Sequence, residues 1–248
     1  MLRLEFSVAL LVLVITLVAG CAETKDEDGT TTASTPTKSS NAASSTEPNT
    51  QDDMPPSYPA AESTNGEFVE LSFNDFTSFP PEGSSSWTIT DGVWKTSGVP
   101  KGYFASRKTF GDFTLRYEYR FPKLKSDENL TDYAGNTGCL VYIDRSDKIW
   151  PICLEVQGKF PETGSIKVNG RKDLTVEVEE FPDVRQEKLN PPGEWNQIEI
   201  VSASGALTVR LNGELISQSQ PTERTSGRIA FQAENYEVEF RNLTIQVP

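Results

Sequence analysis

The stretch Phe113-Thr-Leu-Arg-Tyr-Glu-Tyr-Arg-Phe121 alternates apolar and polar side chains along its length. A period of two in Phe, Leu, Tyr and Thr marks a strand with one face buried and one face wet. The same signature recurs in Gln197-Ile-Glu-Ile-Val201, Leu207-Thr-Val-Arg-Leu211 and Val238-Glu-Phe-Arg-Asn-Leu-Thr-Ile245. Between such runs stand Asp91-Gly92, Phe110-Gly111-Asp112, Asn169-Gly170, Pro191-Pro192-Gly193 and Asn212-Gly213. Asn212-Gly213 is a hairpin signal, because a type I′ turn needs positive φ at both central residues. No segment shows a capped 3.6-residue period, so no helix is expected. Many antiparallel strands in one region predict an all-β jelly roll or β-sandwich.

Composition excludes much chemistry. The 248 residues carry 36 acidic and 23 basic side chains, a formal charge of −13, and no histidine. Histidine-dependent triads, HExxH zinc sites and imidazole proton shuttles are therefore absent. Three cysteines are too few for a disulfide-rich scaffold or a four-thiolate zinc site. An acidic chain is poorly suited to nucleic-acid phosphates, so no nucleic-acid partner is expected.

Residues 1–20 read as a secretory signal. Arg3 precedes an apolar run from Phe6 to Ala19, which at about 14 residues is short for the ~30 Å hydrocarbon core. Its end, Leu17-Val-Ala-Gly-Cys21, resembles the bacterial lipobox, which implies lipidation of Cys21 and an exported lipoprotein held at a membrane in the periplasm or at the cell surface. Residues 21–66 are rich in Ser, Thr, Pro, Asn and acids. With almost no large apolar side chain to offset backbone ordering, they predict a disordered tether. Residues 67–248 remain as the folded domain, about 180 residues and enough for one substantial core.

Inside that domain, Gly135-Asn-Thr-Gly-Cys-Leu-Val-Tyr-Ile143 and Ile149-Trp-Pro-Ile-Cys-Leu-Glu-Val-Gln157 flank a polar turn and should pair as a hairpin. Glu155 and Gln157 are two apart and share a face, with Val156 turned to the core. The two carboxamide and carboxylate side chains then look out of the sheet, toward solvent or toward a groove.

The ordered set Gly102-Tyr-Phe-Ala-Ser106, Phe110 to Pro122, Gly135-Asn-Thr-Gly138, Lys148-Ile-Trp-Pro151, Leu154-Glu-Val-Gln157, Gly193-Glu-Trp-Asn196, Leu211-Asn-Gly213, Gly227-Arg-Ile-Ala-Phe-Gln232 and Val238 to Leu243 resembles the 3-keto-disaccharide hydrolase domain, also called the 3-keto-glucoside 1,2-lyase/hydratase domain. The resemblance implies a concanavalin A-like jelly roll and a carbohydrate substrate already oxidised at C3. A ketone there acidifies the C2 hydrogen. A base removes it, the C1 substituent is eliminated and water adds, for net hydrolysis. Such chemistry asks for one base and donors around the enolate oxygen, with a divalent cation as an optional electrophile and no other cofactor. It does not ask for the carboxylate pair of ordinary glycosidases. Carried over, Glu155 is the candidate base or cation ligand. Asn136 and Gln157 line the groove, and Trp150 is a stacking platform at its rim. Gln232 and Glu234 stand where many relatives have Leu-Gln-x-His, with Glu234 in the place of the histidine. Tyr142, where many relatives have arginine or histidine, joins the substrate-binding set. A different class of function, a carbohydrate-binding lectin-like module without turnover, would use the same groove.

Other conspicuous residues have structural readings. Trp195 is expected in the core, and Arg241 in an ion pair beside the final strand. Glu177-Val-Glu-Glu180 reads as an acidic guard on an edge strand. Asp127, Glu128 and Asp132 carry oxygen ligands suited to calcium, but no metal site is assigned to them. Cys139 and Cys153 fall on strands expected to pair, where either a disulfide or burial as two small apolar side chains would serve.

Overall fold

The computed structural model describes residues 58–144 and 148–248. The expected signal segment, Cys21 and the tether up to residue 57 lie outside the described residues. In chain order the strands are β1 Val69–Glu70, β2 Phe76–Phe79, β3 Trp87–Thr90, β4 Val93–Thr96 and β5 Gly102–Phe110. There follow β6 Phe113–Arg120, β7 Gly138–Ile143, β8 Cys153–Gln157, β9 Ile166–Asn169 and β10 Val178–Glu180. After the helix α1, Pro182–Lys188, come β11 Asn196–Ala203, β12 Ala206–Leu211, β13 Glu214–Ser219, β14 Gly227–Ala233 and β15 Val238–Gln246.

The strands form two antiparallel sheets, as a concanavalin A-like jelly roll requires. One runs β10-β13-β12-β11-β6-β15-β4-β3, with β1 added on β15, and the other runs β2-β5-β14-β7-β8-β9. β6 buries Phe113, Leu115, Tyr117 and Tyr119 and exposes or half-exposes the residues between, the alternation read from sequence. Asn212 and Gly213 join β12 to β13 with φ of 49° and 92°, as a type I′ hairpin demands. The core between the sheets is aromatic: Phe231 packs 5.2 Å from Tyr117 and 5.1 Å from Phe240, and Trp87 stacks on Phe104 at 5.2 Å. Such offset and edge-on pairs suit the ring quadrupoles.

The outer faces of the two sheets differ. On the nine-stranded sheet ion pairs meet solvent, Arg116 with Glu199, Arg120 with Glu239 and Arg241 with Glu118. Arg241 thus pairs beside the last strand as expected. On the six-stranded sheet every residue of β7, β8 and β14 is buried. Tyr103, Ala105, Leu140, Ile143, Cys153 and Ala230 form a second apolar cluster there, separate from the inter-sheet core. Strands buried on both faces leave only the rim of this side, around Glu155, Lys167, Asn169 and Glu234, partly open to solvent.

Several expectations are corrected. Trp195 is not in the core: it is half-buried, with the Arg120 and Arg241 guanidinium groups over its ring at 4.4 and 4.0 Å. Asn196 beside it turns inward, so alternation sends the indole outward. A helix does occur: α1 is a single seven-residue segment with Pro182 in its first turn, too short to show a 3.6-residue period. Residues 58–66, grouped by composition with the tether, pack on the domain. Thr109 N–H donates to Pro59 O at 2.9 Å, and Thr64 N–H to Val247 O at 3.0 Å. Cys139 and Cys153 are both buried and free. They lie on different faces of the sheet, Cys139 in the inter-sheet core and Cys153 in the outer cluster. β10, with Glu179 and Glu180, forms one edge of its sheet as read.

Candidate active site

The β7–β8 hairpin forms with Leu140 opposite Glu155 and Gly138 opposite Gln157. Val156 is in the inter-sheet core, so Glu155 and Gln157 face outward, as the two-residue spacing implied. Register then sets the neighbours. Ala105, Ala230, Leu140, Glu155 and Lys167 form one row across β5, β14, β7, β8 and β9. Gln232 comes next along β14, opposite Tyr103.

Gly138 makes the site compact. A Cβ at this position would stand 2.8 Å from Glu155 Oε1 and closer still to Gln232 Oε1. Its bare Cα is the space that lets the two side chains approach over β7. The chain entering β7 is tied on both sides: Thr137 Oγ1 donates to Gln232 O at 2.9 Å, and Gly158 N–H donates to Thr137 O at 2.8 Å.

The Glu155 carboxyl is 8% exposed, and its pKa is pushed up to about 7. Burial is the main cause, because it penalises the charged form, and the nearby charge of Glu234 adds to it. Lys167 and the Gln232 amide favour the carboxylate and oppose the shift. Asn169 Nδ2 donates to Glu155 Oε2 at 3.3 Å. Gln232 is 1% exposed, and although it lies against this carboxyl, neither its Oε1 nor its Nε2 makes a hydrogen bond of normal geometry. Buried amides are ordinarily satisfied, and the polar group that this one faces is the Glu155 carboxyl. Glu234 follows β14 half-buried, with its pKa raised by burial and opposed by Lys101.

Asn136 stands two residues before Gly138, and its Oδ1 is buried without a partner. Gln157 Oε1 accepts from Lys159 N–H at 2.8 Å, which leaves its amide nitrogen uncommitted. Glu155, Glu234, Gln232 and Gln157 thus gather at one end of the sheet face, with Asn136 on the segment that enters β7 there. Two expected members do not join them. Trp150 is exposed in the β7–β8 loop, at the end of the hairpin away from Gly138. Tyr142 is wholly buried in the inter-sheet core, where its hydroxyl meets Ser202 Oγ at 2.5 Å. Strict alternation would have put Tyr142 on the outer face with Leu140. Instead its φ of 59° and a register shift against β14 turn the ring over.

Sequence reasoning missed Asn169, Lys167 and Lys101. The alternating run Ile166-Lys-Val-Asn169 was available as a signal, but its register against Glu155 was not. Lys167 also pairs with Glu162, which Lys159 and Lys167 together hold down at about pKa 2. Among the described residues no three His, Cys, Asp or Glu side chains converge as metal ligands.

The model of the 3-keto-alpha-glucoside-1,2-lyase-like domain matches residues 61–246. Among solved structures, a candidate glycosyl hydrolase from Parabacteroides distasonis is similar at 19% identity, with a TM-score of 0.53 over 73% of this chain and 100% of its own. A second such protein from the same organism is 20% identical, with a TM-score of 0.51 over 71% and 89% of the two chains. These likenesses establish the shared fold. No curated protein sequence matches the chain.

Proposed function

The chain belongs to the 3-keto-alpha-glucoside-1,2-lyase-like domain family, and from that premise we propose that it is an exported enzyme cleaving 3-keto glycosides. The family supports a glycan-active, glycosidase-like protein. The observation that carries the finer reading is a single sheltered carboxyl, Glu155, poised near neutral pKa beside an unsatisfied amide. A general base works best when its pKa lies near the working pH.

In the proposed reaction Glu155, as the carboxylate, takes the proton from C2 of the 3-keto sugar. The electron pair of that C–H bond passes into the enolate, whose oxygen receives a hydrogen bond from Gln232 Nε2. The enolate collapses, the C1–O bond breaks, and the departing oxygen takes a proton from Glu155 or Glu234. Water then adds, hydroxyl to C1 and proton to C2, so the sum is hydrolysis. Gln157 and Asn136 offer further polar contacts to ring hydroxyls. Export and lipidation at Cys21 rest on the lipobox-like Leu17 to Cys21 segment.

Glu155→Gln should lower turnover of a 3-keto disaccharide by on the order of 100-fold or more, while binding persists. Enone absorbance and product release give the rate, and calorimetry the affinity. Undiminished turnover in that variant would falsify the assignment. A wild-type protein that binds glycans and never turns them over, with divalent cations supplied, would make it a carbohydrate-binding module instead.

A further inference from the structure

Arg228 lies on β14, in register with Thr109 of β5 and Ile143 of β7. Ile229 beside it packs in the inter-sheet core and Ala230 in the outer cluster, so alternation puts the Arg228 side chain on the face that carries Glu155. It is 2% exposed, and its Nε and Nη2 have no hydrogen-bond partner. None of the ion pairs formed among the described residues involves it. Asp144, near the same end of β7, pairs with Arg224, which also donates to Tyr142 O at 3.3 Å. Among the described residues, the ring of Tyr58 lies over Arg228, 4.1 Å from the guanidinium carbon.

A guanidinium remains protonated at any ordinary pH, and a buried charge without a counter-charge is costly. Cation–π contact covers the flat face of the group and leaves its N–H bonds unsatisfied. The two unsatisfied nitrogens are not scattered. Nε and Nη2 form one edge of the guanidinium, with parallel N–H bonds spaced to meet both oxygens of a carboxylate. Ladder spacing, two strands across and two residues along, separates Arg228 from Glu155 by about 12 Å, a distance that a short oligosaccharide spans.

We propose that Arg228 is an anion subsite that receives the carboxylate of an acidic sugar, a uronate, in the glycan whose other end lies at Glu155. The proposal rests on the reading of this sheet face as a glycan site. The nitrogens are closed to solvent, so admitting the carboxylate requires a local displacement. Tyr58 is the wall that shifts, since the backbone bond from Thr109 N–H holds the next residue, Pro59, and not the ring. The subsite would select acidic over neutral glycans and leave the chemistry at C2 unchanged.

Calorimetry on the full chain with two unoxidised disaccharides of the same linkage tests this, one ending in glucuronate and one in glucose. No turnover is needed, so the result is independent of the 3-keto chemistry. The acidic disaccharide should bind at least tenfold more tightly. Arg228→Gln should abolish that preference, and Arg228→Lys, which keeps the charge and loses the paired edge, should retain only part of it. Equal affinities in the wild type, absence of binding by either included, overturn the proposal, as does a preference that survives Arg228→Gln. If Arg228→Gln does not fold, the wild-type comparison and Arg228→Lys decide the matter. An acidic preference together with no enone from any 3-keto substrate would remove the Glu155 chemistry and leave the subsite standing.

Discussion

Glu155 shows how much a single side chain depends on its surroundings. With a pKa near 7, its carboxylate fraction grows as pH rises through neutrality, so kcat/KM should rise to a plateau with an inflection at about pH 7. Lys167 favours the charged form, so Lys167→Met should move that inflection to higher pH. A profile that is flat between pH 5 and 8 would contradict the assignment. The same shift bears on stability. The folded pKa lies above the ordinary glutamate value, so the folded state holds the proton more tightly than the unfolded chain. The resulting stabilisation is complete below about pH 4.5 and is lost as pH rises through 7. Glu155→Gln should therefore be more stable than wild type at pH 8, by up to on the order of 3 kcal/mol. The gain should vanish in acid, and thermal melts at pH 4 and pH 8 would show it. A site that raises stability when neutralised is one kept for activity. The carboxylate and its outward face were legible in the Leu154-Glu-Val-Gln157 alternation. Its shift was not, because burial and the approach of Glu234 come from other strands.

At the level of elements, the β7–β8 hairpin was readable because both runs are apolar, and the polar turn between them is short. The close packing above Gly138 was not readable, since a glycine entering a strand looks like turn chemistry. Gly138→Ala would push Gln232 and Glu155 apart. Displacements of an ångström at a reacting centre cost on the order of 100-fold, so kcat/KM should fall by about that factor. Stability should change little, because Ala is favoured over Gly by roughly 0.5–1 kcal/mol in a strand and the displaced atoms are side-chain ends. A melting temperature within a few degrees of wild type, with activity lost, is the expected pair of results. Tyr142 teaches the opposite lesson about this strand. A period-two reading assumes an unbroken pleat, and one residue with positive φ inverts the faces beyond it. Trp195 was misplaced for a related reason: a large aromatic is ordinarily counted toward the core, yet two arginines from β6 and β15 stack on its ring at the surface. Each such contact at an exposed site contributes about 0.5–1 kcal/mol.

Across the whole molecule, the two sheets divide the labour. The nine-stranded sheet turns a charged outer face to water, while the outer face of the six-stranded sheet is sheltered and carries both Glu155 and Arg228. With Cys21 proposed as the lipidated residue, Cys21→Ser should move the full chain from the membrane fraction to the soluble fraction on cell fractionation, without altering turnover. Retention at the membrane would point to a different anchor. Strand content, the hairpin at Asn212-Gly213, the absence of histidine chemistry and the outward direction of Glu155 were determined by the sequence itself, because each depends on residues within a few positions of one another. Only the tertiary structure could bring Gln232 beside Gly138, where Thr137 bonds to it across 95 residues of chain. The raised Glu155 pKa and the unsatisfied edge of Arg228 likewise had to wait for it. Both follow from which strands lie side by side and how much water they exclude, and neither is encoded in any local period.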